Sequence, residues 1–286
     1  MKEKIDLHVH TNASDGKHSP SRLVELAAQR GLSILAITDH DTVDGSIQAL
    51  EAVRNYPNLK VIPGVEISSH APGCEVHILG YFIDVAAPEF IRQMSLLRGS
   101  RIERACAMVE KLNDLGFAIT MQRVREIAGT GSIGRPHIAQ ALVEKGYVNS
   151  FQEVFERYLG QGGLAYVERS KLSPEEAVTL ILKSGGLPVL AHPTTISDAE
   201  QMIVRLVDCG LVGLECHYKD YNAIQRKEML ALARRYNLIA TGGSDYHGVD
   251  EATEVMLGEA EVPVDCAQSL IQEARLRGLA LPDNWG

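Results

Sequence analysis

Neither a CxxC pair nor a cysteine-dense stretch occurs in this 286-residue chain; its five cysteines, Cys74, Cys106, Cys209, Cys216 and Cys266, are scattered and odd in number. That spacing excludes a disulfide framework and a zinc ribbon and reads as reduced thiols. Apolar runs long enough to span a bilayer are missing, and no charged-then-apolar leader precedes the first strand-like segment, so the expectation is a cytoplasmic protein. Positive charge is also short, with 28 Lys+Arg against 37 Asp+Glu and a net charge of −9. Such a chain has no global field to draw duplex DNA or a membrane surface. A small or short anionic substrate stays open where bound metals reverse the local potential. Oligomeric state leaves no mark in the sequence.

What recurs is strand followed by helix. β-branched or apolar runs bounded by Gly, Pro or Asn predict strands over 5–9, 34–37, 61–67, 76–82, 188–191, 212–216 and 239–244. Helical patterns with readable ends lie between them. "SPSRLVELAAQRG" offers Ser19 as N-cap, Pro20 at the first helical position and Gly31 past the end. "SPEEAVTLILKSGG" repeats the logic, with Ser173 and Glu176 as a capping box and Gly185 as the stop. Helices of this length imply parallel pairing through right-handed crossovers, and seven strands suggest an α/β barrel or a strongly wound sheet. Residues 90–167 break the rhythm. They are helix-rich, which predicts a helical insertion over the barrel mouth, with 1–89 and 168–286 forming the barrel; an ordinary run of barrel helices is the alternative.

The strand ends carry the chemistry. The first delivers His8 and His10, with Asp15 just beyond; "LAITDHD" delivers His40, "VIPGVEIS" Glu66, "LAHP" His192, and "GGSDYH" Asp245 and His247. In "CEVHILGY", His77 lies early in its run. The C-terminal ends of parallel barrel strands share one face, where active sites sit. Six histidines and three carboxylates would thus converge on one mouth, an arrangement that needs bound cations to be stable. Nitrogen and oxygen donors without thiolate point to Zn, Mn or Fe. Nine donors exceed the needs of one or two ions and suit three divalent metal ions.

These stretches, "DLHVHTNASDG", "ITDHD", "GVEIS", "EVHILGY", "LAHP" and "GGSDYH", together resemble the PHP (polymerase and histidinol phosphatase) superfamily of metal-dependent phosphoesterases, in order and across nearly the whole chain. The resemblance implies a distorted (β/α)7 barrel with a trinuclear centre. It assigns one ion to His8, His10, Glu66 and Asp245, a second to Glu66, His77 and His192, and a third to Asp15, His40 and His247. The "GRPHIA" loop resembles the branch that includes nucleoside 3′,5′-bisphosphate phosphatases and 5′-to-3′ exoribonucleases acting on short RNA. Arg135 then falls where that branch binds phosphate, and Arg157 in "FERYLG" at a second basic position.

The expected reaction is release of the 3′-phosphate of a nucleoside 3′,5′-bisphosphate by a metal-bridging hydroxide. The alternatives are stepwise 5′-to-3′ cleavage of short 5′-phosphorylated RNA, a histidinol-phosphatase-like activity, or an amidohydrolase-type reaction. His137 and His217 are left near the mouth as candidate general acids. Asp39 is a candidate for orienting His40. Glu215 is a candidate for orienting a ligand or binding a ribose hydroxyl. Arg98, Arg101 and Arg104 share a helical face that reads as solvated.

Overall fold

The computed structural model describes residues 3–129, 131, 133–168, 172–248, 255–282 and 285. Seven strands form one sheet in chain order: β1 (Lys4–Asp6), β2 (Leu32–Ile37), β3 (Lys60–Ala71), β4 (Cys74–Tyr81), β5 (Leu187–Leu190), β6 (Gly213–Tyr218) and β7 (Ile239–Gly243). The sheet curls round so that β7 meets β1. There the Leu7 N–H donates to the Gly242 carbonyl at 3.3 Å and the His10 N–H to the Tyr246 carbonyl at 2.9 Å. Gly243 permits the seam: a Cβ there would lie 2.4 Å from Cβ of His8 and 2.5 Å from its backbone nitrogen. The result is a nearly closed, distorted seven-stranded barrel.

One expectation needs correction. β4 runs antiparallel to both β3 and β5, while the other neighbouring pairs are parallel. Only Pro72 and Gly73 connect Ala71 to Cys74, with Gly73 at φ +80°. A two-residue link makes a hairpin and cannot carry a parallel crossover. Reversal places the start of β4 at the mouth, which is why His77 sits early in its run.

The helices in chain order are α1 (Pro20–Gln29), α2 (Asp44–Ala52), α3 (Pro88–Asp114), α4 (Met121–Ala128), α5 (Arg135–Glu144), α6 (Phe151–Val154), α7 (Pro174–Lys183), α8 (Ala199–Asp208), α9 (Ala223–Arg235) and α10 (Val264–Leu276). The Ser19 side chain caps α1, and Ser173 and Glu176 form the reciprocal capping box of α7. Alternate strand residues, Ile5, Leu7, Ile34, Ala36, Leu79, Tyr81, Leu187 and Val189, form one cluster with Ala267, Leu270 and Ala274 of α10. Period-2 alternation puts that set on the inner wall, so α10 plugs the end of the barrel away from the mouth. Between β4 and β5, the described residues contain no strand. The second half of α3 and the helices α4 to α6 pack round their own apolar cluster, which includes Met108, Leu112, Val124, Ile138 and Leu159. Residues 130 and 132 of the loop before α5 lie outside the described residues. No helix among the described residues is long and apolar enough to cross a membrane.

Candidate metal centre

His8 and His10, spaced i and i+2, follow β1 beyond a bend at Leu7, and both rings reach the acids of the mouth. Nε2 of His8 lies 3.2 Å from Oε2 of Glu66 and 3.4 Å from Oδ1 of Asp245; Nε2 of His10 lies 3.2 and 3.1 Å from the same two oxygens. The other Glu66 oxygen, Oε1, lies 2.7 Å from Nδ1 of His77 and 3.1 Å from Nε2 of His192. Asp15 gathers a third set: Nε2 of His247 at 3.4 Å, Nδ1 of His10 at 3.7 Å and Nε2 of His40 at 3.8 Å. The nine predicted donors therefore converge. His10 spans two groups and His40 also meets Glu66, so the sets overlap more than the expected partition.

Several of these atoms are orphans. Nε2 of His8, both ring nitrogens of His10, Oδ1 of Asp15, Nδ1 of His40, Oε2 of Glu66 and Nε2 of His77 are buried without a hydrogen bond. Orphaned polar atoms cost about 1–3 kcal/mol each, and here they point at one another without hydrogen-bond alignment. Divalent cations would satisfy them together. The set of imidazole nitrogens and carboxylate oxygens, without sulfur, fits such ions.

The electrostatics agree. Burial pulls the His10 ring down, yet Asp245 and Glu66 outweigh it and push the ring up to about 10. Burial likewise opposes protonation of His77, and Glu66 carries it to about 9. His40 goes the other way, to about 3, because burial wins over Glu66 and Asp15. Burial works against ionisation of Glu66, but the rings of His40, His77 and His8 hold it well below the usual carboxylate range. Without bound cations, protons stand in as the positive charge.

Supporting contacts hold the donors. Nδ1 of His8 donates to Oε1 of Glu215 at 3.0 Å, and the His192 N–H donates to its Oε2 at 2.8 Å. Glu215 is fully buried with both oxygens engaged, so it positions ligand-bearing groups and does not meet a ribose hydroxyl. The Tyr218 hydroxyl donates to Oδ2 of Asp245 at 2.9 Å, and Nζ of Lys219 reaches that oxygen at 3.3 Å. The sequence reasoning missed both, although they directly follow "GLECH". Asp39 does not orient His40. Its carboxylate accepts from Thr11 N (2.7 Å), Thr11 Oγ1 (2.8 Å) and Ser14 Oγ (2.7 Å), which fixes the turn that carries Asp15. His192 and Asp245 adopt φ of 27° and 46°. For His192 that left-handed backbone costs on the order of 1–2 kcal/mol, strain of the sort stored where a side chain must aim.

A cleft opens over this floor, lined by Asp15, His40, His77 and His247 together with Glu75, Arg101, Arg104, Arg135 and Phe155. Arg135, at the start of α5, donates to Oε2 of Glu75 at 2.8 Å and lies over the Phe155 ring. The solvated reading of the α3 arginines fails: Arg98 is only partly exposed and donates to the buried Thr42 hydroxyl at 2.6 Å as well as to exposed Asp44 at 2.7 Å. Arg101 is largely buried, donating to Asp41 Oδ2 (2.6 Å) and Ser68 Oγ (2.7 Å), and Arg104 shares its cleft. Helical spacing shows their common face; the partners of Arg101 come from distant strand ends, and Arg104 donates from Nε to the Val167 carbonyl at 2.9 Å.

Arg157, His217 and His137 are not among the residues lining this cleft. Arg157 is exposed and pairs with Glu153 one turn back at 2.5 Å. His217 follows a bulge in β6 that breaks its alternation with Glu215. Its ring pKa is lowered by burial and then by Arg226, outside the donor cluster. His137 caps α5: its Nδ1 accepts from the Gly134 N–H at 2.9 Å, and burial keeps the ring neutral.

Comparison with known proteins follows the same lines. The family model described as "PHP domain" matches residues 6–181. A phosphoribosyl 1,2-cyclic phosphate 1,2-diphosphodiesterase from Eggerthella lenta is 33% identical over 251 residues, covering 85% of this chain and 94% of the relative. The 5′-3′ exoribonuclease Rnm of Escherichia coli is 36% identical over 250 residues, 85% of this chain and 84% of the relative. A 3′,5′-nucleoside bisphosphate phosphatase from Chromobacterium violaceum is 33% identical over 269 residues, 92% and 93%. The crystal structure of a candidate metal-dependent phosphoesterase from Bifidobacterium adolescentis superposes with a TM-score of 0.87 at 31% identity, covering 98% of both chains. The chain belongs to the PHP domain family. It is a hydrolase acting on phosphoric ester bonds.

Proposed function

We propose that this enzyme releases the 3′-phosphate of nucleoside 3′,5′-bisphosphates, using three divalent ions, Mn, Zn or Fe, held by His8, His10, Asp15, His40, Glu66, His77, His192, Asp245 and His247. One observation carries the reading. The open side of the donor cluster and three guanidiniums, Arg101, Arg104 and Arg135, line a single cleft. A substrate with two phosphates fits that division, one group over the donors and one against the arginines. The bound ions would supply an activated water and neutralise charge on the phosphoryl oxygens. Arg135 offers a planar fork suited to two phosphate oxygens, which a lysine cannot reproduce. The apolar wall that includes Phe155 is the natural place for a base. Helical segment 90–167 supplies Arg101, Arg104, Arg135 and Phe155, which supports its role as an insertion covering the mouth. The free cysteines support a reducing compartment.

A second reading, stepwise removal of nucleotides from short 5′-phosphorylated RNA, is favoured by the Escherichia coli relative. The same donors serve both, since the readings differ in what occupies the leaving-group side. Incubation of the Mn-loaded enzyme with adenosine 3′,5′-bisphosphate should release inorganic phosphate and adenosine 5′-monophosphate. Parallel assays take a 5′-phosphorylated tetraribonucleotide and a ribose 1,2-cyclic phosphate. Turnover of either one with none of the bisphosphate would sink the first reading.

A further inference from the structure

We propose that Glu75 selects substrates bearing a free hydroxyl beside the scissile phosphoester; in the bisphosphate reading, on which this rests, that group is the ribose 2′-hydroxyl. Among the described residues lining the cleft, the acids are Asp15 and Glu75. Asp15 belongs to a donor group, and Glu75 belongs to none. A carboxylate beside an anionic substrate works against binding unless its charge is offset, as the Arg135 guanidinium does here, and a carboxylate so offset accepts best from a neutral donor. A sugar hydroxyl is such a donor.

Position narrows the choice to the hydroxyl next to the reacting ester. Glu75 and His77 stand at i and i+2 on β4 and so share one face of the strand. Oε1 of Glu75 lies 3.5 Å from Nε2 of His77, and Oε2 accepts from the Arg135 guanidinium at 2.8 Å. A phosphate seated over His77 therefore brings the adjoining sugar carbon towards Glu75. Arg135 offsets the carboxylate's charge and holds it in place, so the acceptor is oriented before substrate arrives.

The test is the ratio of kcat/KM for adenosine 3′,5′-bisphosphate to that for its 2′-deoxy analogue, measured on ion-loaded wild type, Glu75→Ala and Glu75→Gln, with metal content checked for each. A hydrogen bond to a charged acceptor corresponds to a wild-type preference for the ribonucleotide on the order of 10- to 100-fold. Glu75→Ala should bring the ratio close to one, chiefly by slowing the ribonucleotide. Glu75→Gln, which keeps an acceptor oxygen, should retain part of the preference, and carries the test alone if the alanine variant does not fold. Equal turnover of both substrates by wild type overturns the inference and leaves the phosphatase reading standing. A ratio unchanged in the variants while both rates fall assigns Glu75 a purely structural role and overturns it too. Turnover of neither bisphosphate removes the phosphatase reading and this inference with it.

Discussion

Glu215 presents no surface to solvent, yet each of its oxygens is spent on a group that carries a candidate ligand. Holding Nδ1 of His8 fixes the tautomer and turns Nε2 towards Glu66 and Asp245. Holding the His192 N–H supports a backbone that departs from ordinary φ/ψ space. Replacement by glutamine keeps the volume but swaps one acceptor for an amide that cannot accept from His8 and from His192 in the same way. Glu215→Gln should lower divalent-ion affinity on the order of 10- to 100-fold, read by competition with a chelating dye. Arg157→Ala serves as the control in the same assay and in turnover: exposed and paired with Glu153 one turn back, it should behave as wild type. A Glu215→Gln protein with unchanged affinity would show that the His8 tautomer does not matter.

At the scale of elements, the site depends on how β1 and β7 close the barrel. Gly243 lies so near His8 that any side chain there must push the two strands apart. Gly243→Ala should destabilise the protein by about 1–3 kcal/mol, visible as a lower urea midpoint. It should also reduce bound metal, because His8 and Asp245 sit on either side of that seam. Normal ion content in a destabilised variant would show that the seam and the donors are independent. Strand ends and their donors were legible in the sequence because alternation, capping and polar residues at apolar run ends are all local signals. Strand direction was not, since a period of two reads the same both ways. The "APGC" turn was the available signal for the antiparallel β4, as two residues leave no room for a helix. The bulge that withdraws His217 and the burial of Arg101 against Asp41 and Ser68 depend on packing between distant segments, which one sequence does not spell out.

Across the whole molecule, the donor cluster couples ion binding, protons and stability. In the ion-free fold, carboxylates hold His10 at about 10 and His77 at about 9, although burial opposes both. An unfolded histidine titrates near 6.5, so each folded ring has the higher pKa. Their contribution to stability is therefore complete below about pH 6.5 and is lost as pH climbs through 9 to 10. Ligation runs the other way, because a ring must lose its proton to bind an ion. Chelator-treated protein should show a urea midpoint that falls between pH 6.5 and 9, while ion-loaded protein gains over it by an amount that grows across the same window. Calorimetric titration with Mn at pH 7.5, repeated in buffers of different ionisation enthalpy, should record net proton release on binding. Binding without proton release, or parallel pH profiles with and without chelator, would mean that the rings are already neutral and that the acids, not bound protons, are what the fold balances when no ion is present.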